Sequence, residues 1–112
     1  GFSTSDEIRS DITIINDAGA TQATDGNVTL YIKNTGNSEL STQPDDVDVL
    51  INGIFVTGIE SSDIKLLDGA EVWGEGDVIR LFAETDTNNI ETGENRAQVT
   101  VDGGEDLFVW EQ

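Results

Sequence analysis

The stretch that decides the fold is residues 47–57, which read Val-Asp-Val-Leu-Ile-Asn-Gly-Ile-Phe-Val-Thr. Asn52-Gly53 separates two β-branched runs, and Asn-Gly suits a type I′ turn because both central residues of that turn need positive φ. Such a turn sets Ile51 opposite Ile54. One face of this hairpin is then expected to carry Val47, Val49, Ile51, Ile54 and Val56. Leu50 and Phe55 lie on the other face, so the hairpin is apolar on both sides and belongs either at the centre of a sandwich or at an interface.

The rest of the chain repeats short β-branched runs, with Gly, Asn and Asp between them at intervals of roughly ten residues. Alternation predicts strands at 8–16, 27–33, 63–67, 77–84, 96–101 and 106–110, with a loop at 85–95. In the first strand, Ile8, Ile12 and Ile14 are expected on one face. No window has a sustained helical period. We therefore expect an all-β fold, an antiparallel immunoglobulin-like β-sandwich of about seven or eight strands, as one domain over residues 1–112.

The charge balance is far from neutral, with 23 Asp and Glu against 5 Lys and Arg and a net charge of -18. A small domain ordinarily carries a net charge of roughly 2–8 in magnitude. Two interpretations compete, a disordered acidic tail and a folded domain adapted to high salt. The acids are dispersed among regular β-patterned runs, which favours the second. The acidity argues against nucleic acid and against anionic lipid as partners, because both need Lys and Arg.

The residue types that carry catalysis are largely missing. The chain has no Cys and no His, so it offers neither a thiol nucleophile nor an imidazole base, and its serines have no plausible activating partner. Close carboxylate pairs arise by chance among so many acids. We therefore expect no enzyme activity and no cofactor. No apolar run approaches the ~20 residues of a membrane span.

The sequence contains candidates for a cation site, a glycosylation site and a protein interface. Asp45, Asp46 and Asp48 cluster near a predicted turn and are the candidate ligands of a structural cation, with a solvated acidic surface as the alternative. Asn27-Val28-Thr29 is a glycosylation sequon, and the alternative is an asparagine at a strand edge. Leu50 and Phe55 are candidate interface residues, with a core role as the alternative.

The two tryptophans allow two placements. Trp73 precedes Gly74-Glu75-Gly76 at the entry to a strand, and Trp110 lies in the last strand. Both rings either fill the ends of the sandwich or anchor a protein interface, where Trp is enriched.

The order of several motifs resembles a known family. In chain order they are Ser10–Asp17 (SDITIIND), Leu30–Gly36 (LYIKNTG), Asp46–Gly53 (DVDVLING), Trp73–Ile79 (WGEGDVI) and Val101–Asp106 (VDGGED). Together they are similar to the soluble domain of the archaellum accessory proteins FlaF and FlaG, and most similar to FlaG. The resemblance covers essentially the whole chain. Archaellins also have a β-rich outer domain with comparable strands, so an archaellin outer domain is the alternative.

The resemblance implies a structural role. FlaG-like proteins carry one N-terminal transmembrane helix, which this sequence does not include, and expose a β-sandwich between the membrane and the surface layer. They belong to the stationary part of the archaellum motor. They are thought to self-associate, while a FlaF-like partner links them to the surface layer. We therefore expect an extracellular domain that pairs with itself and with a FlaF-like or surface-layer protein, from a halophilic source. A module that only binds the surface layer is the second hypothesis.

Overall fold

The structure is a computed structural model, and it describes residues 8–112. Its eight strands are β1 (Ile12–Ile14), β2 (Asn27–Asn34), β3 (Val47–Ile51), β4 (Ile54–Phe55), β5 (Ile64–Leu66), β6 (Val78–Glu84), β7 (Glu94–Val101) and β8 (Gly104–Glu111). Short 3₁₀ turns at Pro44–Asp46, Ser61–Asp63 and Thr87–Asn89 connect some of them. The described part of the chain contains no α-helix, so the all-β prediction is confirmed.

The strands form two antiparallel four-stranded sheets, in the orders β1-β2-β6-β5 and β4-β3-β7-β8. These orders correspond to the A-B-E-D and C′-C-F-G sheets of an immunoglobulin-type sandwich. The domain achieves this arrangement without the immunoglobulin disulfide, since the chain has no Cys.

One core lies between the sheets, and alternation along each strand supplies it. Strands β2 and β6 contribute Val28, Leu30, Ile32, Ile79, Leu81 and Ala83 from the first sheet. From the second sheet, β3, β7 and β8 contribute Val47, Val49, Ile51, Ala97, Val99, Val101, Phe108 and Trp110. The period of two in the sequence of these strands therefore agrees with the alternation of buried and exposed residues.

The first strand is shorter than predicted. Ile12 and Ile14 are buried, but Ile8 is 82% exposed and precedes the strand, so the expectation that all three lie on one face is wrong for Ile8. The backbone of Arg9 and Asp11 is bonded to the turn after β2 instead, accepting hydrogen bonds from the N–H groups of Asn37 and Thr35. This contact displaces the chain from the regular pleat before Ile12.

Four turns share one local design. Asp25, Asn52, Asp68 and Asp102 have positive φ, and each precedes a glycine that also has positive φ. Short polar side chains tolerate this conformation best among non-glycine residues, and glycine accepts it freely. At the predicted hairpin turn, φ is 52° for Asn52 and 82° for Gly53, which agrees with a type I′ turn.

Candidate assembly surface

The hairpin at residues 47–57 presents less of its apolar surface to the core than the sequence predicts. The register is the predicted one, with Ile51 opposite Ile54 and Leu50 opposite Phe55. Ile51 is fully buried, whereas Ile54 is 55% exposed. Strand β4 has two residues and lies at the edge of its sheet, so the other sheet does not cover it. Ile54 therefore lies on the same face as Val47, Val49 and Ile51, as predicted, but it is exposed there.

The outer face of the sheet β4-β3-β7-β8 carries a cross-strand row with apolar side chains on three strands and Gln98 on β7. Phe55 pairs with Leu50, Leu50 pairs with Gln98, and Gln98 pairs with Leu107. Phe55 is 61% exposed and Leu107 is 52% exposed, while Leu50 is half-buried by its neighbours. Val109 extends the apolar surface along β8. We call Leu50, Phe55, Leu107 and Val109 the apolar row.

Acidic side chains flank the apolar row on both sides. Asp48 and Glu105 both lie opposite Thr100 and form the neighbouring cross-strand row. On the other side, Glu94 pairs across the strands with Glu111. The strands of this face carry one cation, Arg96, which forms an ion pair of 2.8 Å with Glu94. We call the outer face of β4-β3-β7-β8 the acidic face.

Both tryptophans lie in the core. Of the two alternatives for these rings, the structure agrees with the sandwich interior and not with an exposed interface anchor. Trp73 is fully buried, and its Nε1 donates to the backbone oxygen of Asp77 at 2.9 Å. Trp110 is almost fully buried, stacks on Phe108 with ring centroids 6.2 Å apart, and donates from Nε1 to Gln112 Oε1. The Nε1 atom of each indole has a hydrogen-bond acceptor within the domain, and neither ring is exposed.

The candidate cation ligands are not assembled into a site. Asp45 and Asp46 belong to the 3₁₀ turn Pro44–Asp46, and Asp48 lies on the acidic face of β3. Asp46 Oδ2 accepts a hydrogen bond from Ser41 Oγ at 2.6 Å. Within residues 8–112, no three acidic side chains form a group that could hold a metal ion. Asp45, Asp46 and Asp48 are therefore acids of the turn and of the sheet surface.

Asn27 begins β2 and is half-buried. Its Oδ1 is buried and has no hydrogen-bond partner among the described residues. Glycosylation of Asn27 stays a prediction, and the mass of the protein from its native source tests it.

The LYIKNTG motif contains two residues whose importance the sequence pattern did not reveal. Asn34 is fully buried, and its Nδ2 donates to the backbone oxygens of Ser38 and Trp73 at 2.8 and 3.0 Å. Its Oδ1 accepts from the N–H of Gly36. At Gly36, a Cβ would lie 2.3 Å from the backbone oxygen of Arg9. The motif therefore forms a turn against which the segment before β1 packs. In the sequence, the only indication of this turn is a Gly two residues after an Asn.

A second buried asparagine organises the tip of the main hairpin. Asn95 Oδ1 accepts hydrogen bonds from Asn52 Nδ2 and from the N–H of Glu91, both at 2.8 Å. Asn52 Oδ1 in turn accepts from the N–H of Arg96. The turn residue Asn52 is thus tied to β7 by its side chain, in addition to its backbone role.

The comparisons with known proteins identify the family. None of the helices in the described part of the chain is long and apolar enough to cross a membrane. A comparison with curated proteins gives no significant match. The family model for archaeal-type flagellin matches residues 1–110, which is nearly the whole chain. The chain therefore belongs to the archaeal-type flagellin family.

Proposed function

We propose that this domain is a structural module of the archaellum that works by associating with copies of itself outside the cytoplasm. The observation that carries the proposal is the apolar row, together with membership of a family of filament-forming structural proteins. No catalytic role is proposed, because the chain has neither Cys nor His.

The apolar row is unusual because it lies on the surface of a strongly acidic domain. Phe55 and Leu107 lie at either end of a row that crosses the whole sheet, on a domain whose net charge is -18. Contiguous exposed apolar side chains rimmed by polar residues are typical of interaction sites. Each Å² of apolar surface removed from water contributes roughly 25 cal/mol. Burying Phe55 and Leu107 in a contact between two copies would therefore contribute to the free energy of association.

The experiment is sedimentation or light scattering of the domain in molar salt, where repulsion between copies is screened. Wild type is expected to self-associate with rising concentration. Phe55→Asp is expected to remain monomeric because it puts a charge into the contact. Val72→Asp is the matched control, since Val72 is 51% exposed but lies in a loop outside the acidic face. Wild type that stays monomeric at every concentration would contradict the proposal.

Within the archaellum, the order of the LYIKNTG, DVDVLING and WGEGDVI motifs supports a FlaG-like stator role. In that role the domain lies between the membrane and the surface layer. It self-assembles there and is coupled to the surface layer, directly or through a FlaF-like partner. The strongly acidic composition supports a halophilic source.

The family match over residues 1–110 favours a second role, the outer domain of a filament subunit. Antibody labelling of native cells separates the two roles. Label confined to the cell envelope supports the stator, while label along the length of the archaella supports the filament subunit. Label in neither place would contradict both.

A further inference from the structure

The outer face of the sheet β1-β2-β6-β5 concentrates the few cations of the chain. Lys33 on β2, Arg80 on β6 and Lys65 on β5 all point outward, so this face holds three of the five Lys and Arg residues. Tyr31, Arg80 and Lys65 form one cross-strand row, and Phe82 lies two positions beyond Arg80. Glu84, at the end of β6, is the one acidic residue on the strands of this face. We call the outer face of β1-β2-β6-β5 the basic face.

The cations of the basic face have no carboxylate partners among the residues that the structure describes. Within residues 8–112 the ion pair is Arg96–Glu94, and none of Lys33, Lys65 and Arg80 forms one. Asp63 borders the same depression as Lys65 and Arg80 without forming an ion pair with either, and its Oδ2 accepts the N–H of Glu60 at 2.9 Å. With acids nearly five times as numerous as bases, three cations without an ion pair on one face are unexpected.

Lys65 and Arg80 also lie directly opposite each other. Like charges at directly opposed positions of a sheet are destabilising. The isolated domain bears this repulsion, and carboxylates brought by a partner would relieve it.

Both faces place charged side chains next to large ones on the same strands. On the acidic face, Asp48 and Glu105 lie in one cross-strand row, two strands or roughly 10 Å apart. Leu50 and Leu107 each lie two residues further along their strands, about 7 Å from these charges. On the basic face, Arg80 and Lys65 lie opposite each other, and Lys33 lies one cross-strand row away, opposite Val78. Tyr31 and Phe82 lie two residues from Lys33 and Arg80 on the same strands.

We propose that copies of this domain stack with the basic face of one against the acidic face of the next, a contact that rests on the self-association proposed above. Pairing two acidic faces would oppose like charges, and so would pairing two basic faces. The favoured contact is therefore heterologous, and repeated heterologous contacts extend into an open series of subunits.

Salt acts on this contact in two opposite ways. Each copy carries a net charge of -18, so copies repel at long range when salt is low. The screening length falls to about 3 Å at 1 M salt, which removes the long-range repulsion but affects contact pairs between desolvated side chains much less. Stacking is therefore expected to strengthen as salt rises towards the molar range.

Two charge-reversal variants test the contact. Lys65→Glu with Arg80→Glu makes the basic face acidic, and Asp48→Lys with Glu105→Lys makes the acidic face basic. Each variant then has two faces of the same sign, so its self-association in molar salt is expected to weaken at least about tenfold relative to wild type. In an equimolar mixture, every contact between the two variants again joins opposite charges. The mixture is expected to regain association close to that of wild type.

The control is Glu71→Lys with Glu75→Lys, which changes net charge as much as the acidic-face variant does but lies in an exposed loop. It is expected to self-associate like wild type. Circular dichroism checks the fold of every variant. If a double variant unfolds, the single Lys65→Glu change, at an exposed position of an edge strand, carries the same expectation.

The outcomes separate this contact from the broader function. If wild type associates and the basic-face variant associates equally well, or if the mixture fails to recover, the face-to-face contact is overturned while self-association stands. If wild type does not associate at all, the proposed function itself fails.

Discussion

The carboxylate of Asp106 accepts a hydrogen bond from the backbone N–H of Ile14, with 2.8 Å between Oδ2 and N. Ile14 belongs to β1, an edge strand of the first sheet, and Asp106 belongs to β8, an edge strand of the second. The N–H groups on the free side of an edge strand have no partner in their own sheet and are sites for unwanted pairing. Here one side chain both occupies that N–H and joins the two sheets along an edge of the sandwich.

Loss of this acceptor is expected to destabilise the domain. Asp106→Ala should lower the free energy of unfolding by about 1–3 kcal/mol, because it leaves the Ile14 N–H unsatisfied. Asp106→Asn keeps an acceptor oxygen and should cost less. Denaturant unfolding in molar salt measures both changes. Glu75→Ala removes the same charge from an exposed loop position and is the control; a cost equal to that of Asp106→Ala would show that the hydrogen bond is unimportant.

Gly36 is expected to tolerate no side chain. In Gly36→Ala the Cβ would lie 2.3 Å from the oxygen of Arg9 and 2.7 Å from the nitrogen of Asp11, both backbone atoms. The segment before β1 must then move, at a cost of about 3 kcal/mol, the upper end of overpacking penalties. Gly19→Ala, where the nearest atom is a carboxylate oxygen at 3.4 Å, is the control. Equal thermal midpoints for the two variants would contradict the prediction.

Replacement of Asn34 by the isosteric Asp is expected to destabilise the domain strongly. In Asn34→Asp the new carboxylate faces the backbone oxygens of Ser38 and Trp73, which now receive hydrogen bonds from Nδ2. The oxygen of Ser38 loses its donor, at about 1–3 kcal/mol, while the oxygen of Trp73 keeps the N–H of Leu40. An uncompensated charge is also buried. Asn88→Asp makes the same chemical change at an exposed position. Chemical denaturation should show a large loss for the first variant and little for the second.

Asn27 offers the opposite case, a position where the native residue is costly. Its Oδ1 is buried without a partner among the described residues, so replacing Asn27 by Val removes an unsatisfied acceptor from a strand. The free energy of unfolding is expected to rise by up to about 1 kcal/mol. A loss of stability on denaturant unfolding would show that the side chain is satisfied in solution.

Salt is expected to stabilise the domain strongly. Dispersed carboxylates give a net charge of -18, and self-repulsion of this size disfavours the compact state. The urea midpoint should therefore rise steeply as KCl increases from low to molar concentration. Sucrose, which strengthens burial without screening charge, separates the two effects. A midpoint that responds to sucrose but not to KCl would exclude repulsion as the cause.

The sequence predicts those features of the fold that depend on a single strand or turn. Alternation in Val28-Thr29-Leu30-Tyr31-Ile32 marks the buried face of β2 because the pleat alone sets that face. Asn52-Gly53 fixes the hairpin register for the same local reason. The exposure of Ile54 could not be predicted from a local pattern, because it depends on β4 being a short edge strand.

The candidate surface shows the same limit. Leu50 and Phe55 were predicted as interface candidates from the hairpin alone, and they do lie on an outer face. Leu107 joins them only because β8 pairs with β7 and β7 with β3, and no local pattern encodes that order. The clustering of Lys33, Lys65 and Arg80 is hidden for the same reason, since these residues lie far apart in the chain and come together only through strand pairing.

The hairpin tip also bears on the chemical lifetime of the protein. Asn-Gly is the dipeptide at which side-chain deamidation is easiest, since a glycine nitrogen meets little steric hindrance as it attacks the amide carbon. In the folded domain, Asn52 Nδ2 donates to the backbone oxygen of Asn89 and to Asn95 Oδ1, while its Oδ1 receives the N–H of Arg96. These bonds hold the amide away from cyclisation. A molecule in which Asn52 has aged to an aspartate would instead direct a carboxylate at two oxygens, so the same contacts that protect the intact residue penalise the damaged one.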